Sequence, residues 1–380
     1  MSEGISVILD KICFFSGDIT RSGGTERVST MIANALARQG KYQIVFLSLV
    51  EQAEAPFFTL EDEIERFVLG DRWINPGLGY LKVIPRLRRF LKKHEIDVII
   101  DIDIVLDILS IPAVKGLKTK IISWEHFNYE YEMESLYRRY ILKYSVKRTD
   151  YIVTLTEGDK GAYAEKLGRD KAISAIYNPM QELSCKGEPE KERWLITVGR
   201  LIQRKGIDFL AEVARQVLPE NPDWKWMVVG DGEEQAFLEK FIVENHLNGQ
   251  LILTGRMENV NSYLEKAQIY VMTSRIEGLP MCLLEAKAFQ LPCVSFDIPT
   301  GPNEMIEEGV NGYLIKAFDC RDMALKLDSL MKDDALRRQF SESARNHMEK
   351  FQMESVLRNW NAVLETVGDA DWEKEGKTVR

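Results

Sequence analysis

The feature that most constrains this sequence is a regular alternation of short apolar runs with longer segments of helical periodicity. The first half contains five apolar runs of strand length, at residues 11–15, 43–49, 98–102, 120–123 and 151–155. Between the first two runs, apolar residues recur at helical spacing, at Val28, Met31, Ile32, Ala35 and Leu36. A β, α, β, α order predicts an α/β fold in which a mostly parallel sheet is covered by helices on both faces.

The same alternation restarts after a stretch without periodicity at 182–191, which we interpret as a linker. The second series of strand-like runs lies at 195–198, 226–229, 251–253, 269–272 and 293–296, with a helix from Ile207. We therefore expect two Rossmann-like domains that face a central cleft, at 1–180 and 181–354. Terminal helices are predicted at 323–331, 335–350 and 355–367; the last is a candidate to pack back onto the first domain, before a loose tail at 368–380.

Composition excludes several classes of protein. The 380 residues carry 50 Lys and Arg against 59 Asp and Glu, a formal charge of −9 that argues against a general nucleic-acid binder. We find no apolar run of the roughly 18 residues that a membrane-spanning helix needs. The five cysteines form no C-x-x-C pair and the four histidines have no zinc-ligand spacing, which predicts a cytoplasmic protein without a metal centre.

The strongest local signal is the segment from Ser274 to Ala286, which follows a predicted strand and opens a helix near Pro280. Free backbone N–H groups at a helix start form an anion site. Glu277 precedes the helix and Glu285 lies inside it, so one ligand could touch both carboxylates. A loop glutamate and an ordinary surface glutamate explain the same pattern, and the pattern alone favours that simpler explanation.

A second signal is the Val198-Gly199-Arg200 sequence with Lys205-Gly206 after it. Strand ends in open α/β sheets face the ligand crevice, where Arg grips phosphate in a bidentate manner and Lys acts as a point charge. A solvated basic loop is an equally good explanation. Near the N-terminus, Gly23-Gly24 permits close approach of a ligand to a helix start, or simply a tight turn.

His126 follows a predicted strand at the same expected crevice, where it is suited to acid–base or hydrogen-bonding work, although a lone histidine is more often a structural donor. Asp101 and Asp103 imitate a metal-binding D-x-D pair, but a strand-to-helix junction explains them better, and we expect no metal there. Gly230-Asp231-Gly232 is only a weak G-x-G fragment.

The segment 82–93 is an acid-free amphipathic helix candidate on an acidic protein. Its cations are Lys82, Arg86, Arg88, Arg89, Lys92 and Lys93. Such a helix is typical of a patch that contacts an anionic membrane surface, and a solvated helix face is about as probable an explanation. Leu87, Phe90 and Leu91 are candidates for shallow insertion into the bilayer if the core of the protein does not need them.

Taken together and in order, these segments resemble the family 4 glycosyltransferases of the GT-B fold over nearly the whole chain. Gly23 to Val28 is similar to the family's N-terminal glycine loop, and Val198 to Gly206 to its diphosphate motif. Glu277 through Glu285 matches its E-x7-E signature. The stretch Ser295 to Glu304 resembles members that assemble bacterial polysaccharides, many of which use UDP-galactose, UDP-N-acetylgalactosamine or UDP-glucose.

The resemblance implies a role for each matching residue. Arg200 and Lys205 would neutralise the leaving diphosphate, Glu277 would bind sugar hydroxyls, and Glu285 would hold the ribose. The remaining implied contacts are Arg256 and Met257 to the base, Leu279, Pro280 and Met281 at the helix start, His126 to the 6-hydroxyl region of the sugar, and Gly24 to the acceptor or diphosphate. The short Glu277-Gly278-Leu279-Pro280 sequence lacks two residues of the commoner E-G-F-G-L-P form, which leaves the sugar contacts open.

The resulting expectation is a retaining, metal-independent hexosyltransferase that needs no cofactor beyond its UDP-sugar donor. Its acceptor would be a glycan or a polyprenyl-diphosphate-linked oligosaccharide at the inner face of the cell membrane. Two alternatives remain, a nucleotide-sugar epimerase of the same fold and a non-catalytic subunit that binds nucleotide-sugar. The E-x7-E signature disfavours the first, and the presence of Arg200, Lys205, Glu277 and His126 disfavours the second.

Overall fold

The computed structural model describes residues 10–70, 78–180 and 191–369. The chain divides into two compact units, Met1–Pro179 with Met353–Arg380, and Met180–Gln352. Apart from Lys191, the predicted linker lies outside the described residues, as does the predicted tail from residue 370 onward. Among the described residues, no helix is both long and apolar enough to cross a membrane.

The first unit is built on a parallel sheet in the order β3-β2-β1-β4-β5-β6-β7. Its described strands are β1 (Lys11–Ser16), β2 (Gln43–Ser48), β3 (Glu65–Val68), β4 (Val98–Ile102), β5 (Lys120–Trp124), β6 (Tyr151–Thr154) and β7 (Ile173–Ala175). The helices before residue 180 are α1 (Gly24–Arg38), α2 (Leu78–Lys93), α3 (Asp107–Val114), α4 (Tyr129–Glu134), α5 (Leu136–Ser145) and α6 (Glu157–Leu167). The central strands are continuous apolar runs because helices cover both faces of the sheet.

The second unit holds another parallel sheet, in the order β10-β9-β8-β11-β12-β13. Its described strands are β8 (Trp194–Val198), β9 (Lys225–Val229), β10 (Leu251–Gly255), β11 (Ile269–Met272), β12 (Cys293–Asp297) and β13 (Gly312–Lys316). Its described helices are α7 (Ile207–Val217), α8 (Gln235–Glu244), α9 (Asn261–Lys266), α10 (Met281–Ala288), α11 (Cys320–Lys332) and α12 (Asp334–Glu342). Each unit is thus a Rossmann-like α/β layer structure, as the sequence predicts.

The last helix, α13 (Met353–Gly368), returns to the first unit. Its Trp360 is fully buried and packs edge-on against Trp124 at the end of β5, with 4.8 Å between the ring centroids. Two buried indoles form a large apolar contact that holds the chain's end on the first sheet.

Three strands of the structure were not among the predicted apolar runs, namely β3, β7 and β13. All three are edge strands, and they are short or carry exposed polar residues, so they lack the continuous apolar run of a central strand. The predicted helix at 335–350 is also wrong in extent. It ends at Glu342, because Ser343 and Asn346 are weak helix formers and His347 adopts a φ of 57°, outside the helical region.

Helix α2 forms where the basic amphipathic pattern predicts it, but its apolar residues have a different role. Leu87 and Leu91 are fully buried in the core of the first unit. Phe90 packs against Phe67 of β3, with the ring centroids 5.2 Å apart. The expectation that these three side chains insert into a bilayer is therefore wrong, because the helix needs them to attach to its own sheet.

Candidate functional site

The order of strands in the second sheet places a crevice between β8 and β11. From β8 the chain proceeds outward through β9 to β10, and then returns to β11 and proceeds through β12 to β13 on the other side. Ligands of open α/β sheets bind at such a switch point, beyond the carboxyl ends of the strands. The two segments that follow β8 and β11 are the Arg200 loop (199–206) and the Glu277 loop (273–280).

Glycines allow the neighbouring β9 loop to lie directly against the Arg200 loop. A Cβ at Gly230 would stand 1.9 Å from the carbonyl oxygen of Gly199, and one at Gly232 would stand 2.3 Å from that of Leu201. Gly230 has a φ of 143°, a conformation that L side chains rarely adopt. The weak G-x-G fragment of the sequence therefore has a structural role that sequence reasoning missed, and its position after a strand was the available signal.

The two loops meet in an ion pair. Lys205 Nζ lies 2.5 Å from Glu277 Oε1, and Ser274 Oγ donates a hydrogen bond of 2.6 Å to the same oxygen. The side chains of Lys205 and Glu277 are 22% and 11% exposed, so solvent screens the pair only in part. The structure therefore brings together a cation and a carboxylate that the sequence predicts for the diphosphate and the sugar.

Electrostatics keep Lys205 charged. Burial opposes the charge of the ammonium, but the Glu277 carboxylate outweighs burial and the pKa of Lys205 is raised. Arg200 differs, because its side chain is exposed and makes no hydrogen bond or ion pair with any residue that the structure describes. The loop therefore supplies one anchored cation and one that is available to an anion.

Backbone contacts fix the Arg200 loop against the end of β11. Gly206 has a φ of 65°, and a Cβ there would lie 2.0 Å from the carbonyl oxygen of Thr273. Arg275 donates two hydrogen bonds, of 2.7 and 2.6 Å, to the carboxylate of Asp208 on α7, and a third of 2.9 Å to the Gln203 carbonyl. This bidentate ion pair and the third hydrogen bond, which sequence reasoning missed, hold the Glu277 loop against the Arg200 loop and the start of α7.

The segment after β12 supports the Glu277 loop from its other side. Thr300 Oγ1 donates a 2.6 Å hydrogen bond to the backbone carbonyl of Glu277. Gly301 has a φ of 99°, and a Cβ there would lie 2.6 Å from Pro280 Cδ and 2.8 Å from the carbonyl oxygen of Gly278. The stretch Ser295 to Glu304, which resembles members that assemble bacterial polysaccharides, thus supports the Glu277 loop.

Helix α10 starts directly after the Glu277 loop. Pro280 is its N-cap residue, and no side chain caps the helix. The first-turn N–H groups of a helix have no intrahelical acceptor, which makes this end suitable for an anion. Glu285 lies in the second turn and is half-buried, Met281 is half-buried in the first turn, and Leu279 is buried just before the helix.

The predicted base contacts follow a more distant strand. Arg256 and Met257 come directly after β10, and Arg256 is exposed. The strands β9 and β8 separate β10 from β11, so these residues share the carboxyl edge of the sheet with the Glu277 loop but lie at its far end.

In the first unit the equivalent switch point lies between β1 and β4. Gly23 is the N-cap of α1, and a Cβ there would lie 2.1 Å from Oε2 of Glu26. A Cβ at Gly24 would meet nothing within 4 Å. A side chain at Gly23 would therefore displace the Glu26 carboxylate, whereas Gly24 leaves open space of the kind that a ligand needs.

His126 follows β5 at the same edge of the first sheet. It is 9% exposed, its ring packs 4.4 Å from that of Trp124, and its Nε2 is buried without a hydrogen-bond partner among the described residues. Burial lowers the pKa of His126 to about 3. The imidazole is therefore neutral at physiological pH, which favours hydrogen bonding over acid–base work.

The two aspartates of the D-x-D pair have different partners. Asp101 is fully buried and accepts a 2.7 Å hydrogen bond from Ser110 Oγ, and burial, followed by the charge of Asp107, raises its pKa. Asp103 lies beyond β4 and pairs with Arg138 of α5 at 3.1 Å. Across residues 10–70, 78–180 and 191–369, no three His, Cys, Asp or Glu side chains are grouped as metal ligands.

Comparison with known proteins agrees with these two units. The family model described as "Glycosyltransferase Family 4" matches residues 22–181. The model described as "Glycosyl transferases group 1" matches residues 182–347. The two matches follow each other along the chain, one on each half.

An uncharacterized glycosyltransferase of Haemophilus influenzae is 32% identical over 94% of this chain and 100% of its own length. A Campylobacter jejuni α-1,4-N-acetyl-D-galactosaminyltransferase, which acts on a GalNAc-containing diNAcBac-PP-undecaprenol, is 27% identical over 95% of this chain and 99% of its own. A crystal structure of a Staphylococcus aureus TarM variant with fondaparinux, α-GlcNAc-glycerol and UDP has a TM-score of 0.66 at 25% identity, over 74% of this chain and 58% of that one. On this evidence, the chain belongs to the family 4 glycosyltransferases of the GT-B fold.

Proposed function

We propose that this enzyme transfers a hexose from a UDP-sugar to a lipid-linked or oligosaccharide acceptor in the synthesis of a cell-surface polysaccharide. The sugar is of the galactose, N-acetylgalactosamine or glucose type, and its anomeric configuration is retained. The observation that carries the proposal is the convergence of Arg200, Lys205 and Glu277 with the start of α10 at the switch point of the second sheet.

Charge stabilisation of the leaving group is the chemical task of this site. The bond from the anomeric carbon to the diphosphate oxygen breaks, and negative charge develops on the leaving UDP. The acceptor oxygen bonds to that carbon on the same face, which retains the configuration, and its proton passes to the departing diphosphate. Arg200 and Lys205 neutralise that charge, assisted by the positive end of the α10 dipole. Because these groups are all part of the chain, the reaction requires no divalent cation.

The remaining residues bind and orient the donor. Glu277 accepts hydrogen bonds from sugar hydroxyls, with Ser274 and Lys205 fixing its orientation. The backbone N–H groups of Leu279 and Met281 contact sugar or phosphate, and Pro280 offers none. Glu285 binds the ribose hydroxyls, and Arg256 with Met257 contacts the base.

Two residues of the first unit complete the proposal. Neutral His126 hydrogen-bonds near the 6-hydroxyl and the reaction centre, a role that suits its lowered pKa. The open space at Gly24 admits the acceptor or the diphosphate.

We place the enzyme in the cytoplasm, at the inner face of the membrane. The four described cysteines are free thiols, which agrees with a reducing compartment.

Relatives support the substrate classes. The Campylobacter jejuni relative transfers N-acetylgalactosamine to an undecaprenyl-diphosphate glycan, and the TarM structure contains UDP. The decisive experiment is incubation with a panel of UDP-sugars and a polyprenyl-diphosphate-linked acceptor, followed by detection of UDP and of the glycan. We expect UDP together with an α-linked product for one donor. A new UDP-sugar without free UDP would indicate an epimerase, and binding without either product a non-catalytic subunit.

A further inference from the structure

The second unit contains a cavity at the edge of its sheet where the strands begin. Residues just before β8, β11 and β12 line one side of this cavity, and helix α12 lines the other. Its volume is about 350 Å³, within the range of small-molecule sites. The Glu277 loop lies beyond the opposite ends of these strands, about 15 Å away for strands of four or five residues. The cavity is therefore separate from the candidate donor site.

This cavity is basic, although the chain as a whole carries −9. Of the described residues that line it, one is an acid, Asp334, and four are cations, namely Lys191, Arg193, Arg337 and Arg338. The cations come from two distant segments, the approach to β8 and helix α12, so folding rather than a local basic run concentrates the charge. Like charges around one space repel each other, and a bound anion would relieve that repulsion.

Arg337 forms a rigid and buried part of the cavity wall. Its guanidinium donates hydrogen bonds of 2.9 Å to Gln268 Oε1 and to the carbonyl oxygen of Met331. Its carboxylate partner, Asp334, is 79% exposed, so water screens that ion pair. Burial lowers the pKa of Arg337, and the nearby positive charge of Arg193 lowers it further. The wall therefore holds a fixed cation that a second cation approaches.

Two further arginines of the cavity are accessible to an anion. Arg338 is exposed and makes no hydrogen bond or ion pair with any residue that the structure describes. Arg193 pairs at 3.0 Å with Asp223, but both side chains are exposed, and an anion displaces such a surface pair at little cost. Because the guanidinium fork matches the oxygens of a phosphate group, these side chains are suited to bind one.

The neutral part of the lining indicates what the phosphate is attached to. Gln268 uses Oε1 for Arg337, and its amide NH₂ group donates to no residue that the structure describes. Gln290 and Ser341 also line the cavity, and amides and hydroxyls of this kind bind the hydroxyl groups of a ligand. No aromatic residue is among the described residues of the lining, so a nucleobase would find no ring to stack on.

We propose that this cavity is a second ligand site, which binds a small phosphate monoester of a polyhydroxy compound, such as a sugar phosphate. Arg193 and Arg338 hold the phosphate against Arg337, while Gln268 and Gln290 bind hydroxyl groups. The site is additional to the UDP-sugar site and goes beyond the proposed function.

The experiment is calorimetric titration of the full chain with glucose 6-phosphate, inorganic phosphate or glucose, each with saturating UDP present to occupy the donor site. The charge variant is Arg193→Gln/Arg338→Gln. Its matched control is Arg215→Gln/Arg321→Gln, two exposed arginines of the same unit outside the cavity. Gln290→Gly removes one amide and keeps the fold, because Gln290 has a φ of 57°, which glycine adopts without steric cost.

We expect the parent to bind glucose 6-phosphate more tightly than inorganic phosphate, and glucose not measurably. The charge variant should bind both phosphates at least about tenfold more weakly, since it loses two charged hydrogen-bond donors, and the control should bind like the parent. Gln290→Gly should weaken the binding of glucose 6-phosphate by about threefold and leave that of inorganic phosphate unchanged.

Unchanged phosphate binding by the charge variant overturns the site, and so does displacement of glucose 6-phosphate by UDP. Equal binding of glucose 6-phosphate and inorganic phosphate by the parent overturns the choice of a sugar phosphate. Arg200→Ala separates this site from the donor site, because it should bind glucose 6-phosphate like the parent. Glucose 6-phosphate binding without UDP release from any donor would remove the proposed function alone, and the reverse result would remove this site alone.

Discussion

Lys205 Nζ lies 2.5 Å from Glu277 Oε1, so the anchored cation of the Arg200 loop and the first carboxylate of the E-x7-E signature are direct neighbours. The two residues are 72 positions apart in the chain. Since one is proposed to bind the diphosphate and the other the sugar, their contact marks the point where those two parts of a donor would join.

Arg200→Ala should lower turnover by about 10²-fold or more, the scale of losing one preorganised charge donor. Its free energy of unfolding should stay that of the parent, because the side chain is exposed. Steady-state UDP release and urea unfolding measure the two quantities, with Lys225→Ala as an exposed control. Turnover near that of the parent would remove Arg200 from the site.

Lys205→Ala should lose turnover on the same scale and should also destabilise the fold by about 1–3 kcal/mol, because it leaves the carboxylate of Glu277 poorly compensated. Adding Glu277→Gln to Lys205→Ala should recover part of that stability but no activity. Urea unfolding of the two single variants and the double variant completes a thermodynamic cycle. Additive stability effects would contradict a functional ion pair.

Gly301→Ala should destabilise the Glu277 loop, since its Cβ would lie 2.8 Å from the Gly278 carbonyl oxygen at a φ of 99°. We expect a loss of about 2 kcal/mol and weaker donor binding. Gly24→Ala is the matched comparison, because its Cβ meets nothing within 4 Å and stability should be retained. Calorimetric titration with UDP and thermal unfolding test both variants. Equal stability of Gly301→Ala and Gly24→Ala would show that the Glu277 loop can shift to accept a Cβ at position 301.

Lys287→Met should stabilise the protein at neutral pH by about 1–3 kcal/mol. Lys287 is fully buried, and its Nζ has no hydrogen-bond partner among the described residues. Burial lowers the pKa of Lys287 from 10.5. Between the lowered pKa and 10.5, the unfolded chain binds more protons than the folded one, so stability rises with pH across that window. The variant should lose this rise in urea unfolding at neutral and alkaline pH, whereas Lys225→Met should keep it. A less stable Lys287→Met would show that the ammonium has a partner.

Metal independence remains a separate expectation. Activity should persist in excess EDTA, because Arg200, Lys205 and the helix start supply the positive charge. Complete loss of activity in EDTA, restored by magnesium or manganese, would contradict this charge assignment and indicate Asp101 and Asp103 as metal ligands.

The two parallel α/β layers were predictable from the sequence because central parallel strands are buried on both faces. Each such strand therefore appears in the sequence as a continuous apolar run. The positions of Arg200, Lys205 and Glu277 in the loops after such strands were predictable for the same reason, since strand ends face the crevice. The edge strands β3 and β7 lack such a run because they are short and β3 carries exposed polar residues, whereas the edge strand β10 has one and was predicted.

Contacts between distant segments were decided only by the tertiary structure. The sequence contains Lys205, Glu277, Arg275 and Asp208, but whether a charge is paired depends on backbone paths that bring residues about 70 positions apart to hydrogen-bonding distance. Burial is decided in the same way. The sequence shows that His126 is a titratable group at a strand end. In the tertiary structure the ring of Trp124 packs against it, and burial lowers the pKa of His126, because removing water from a side chain disfavours its charged form.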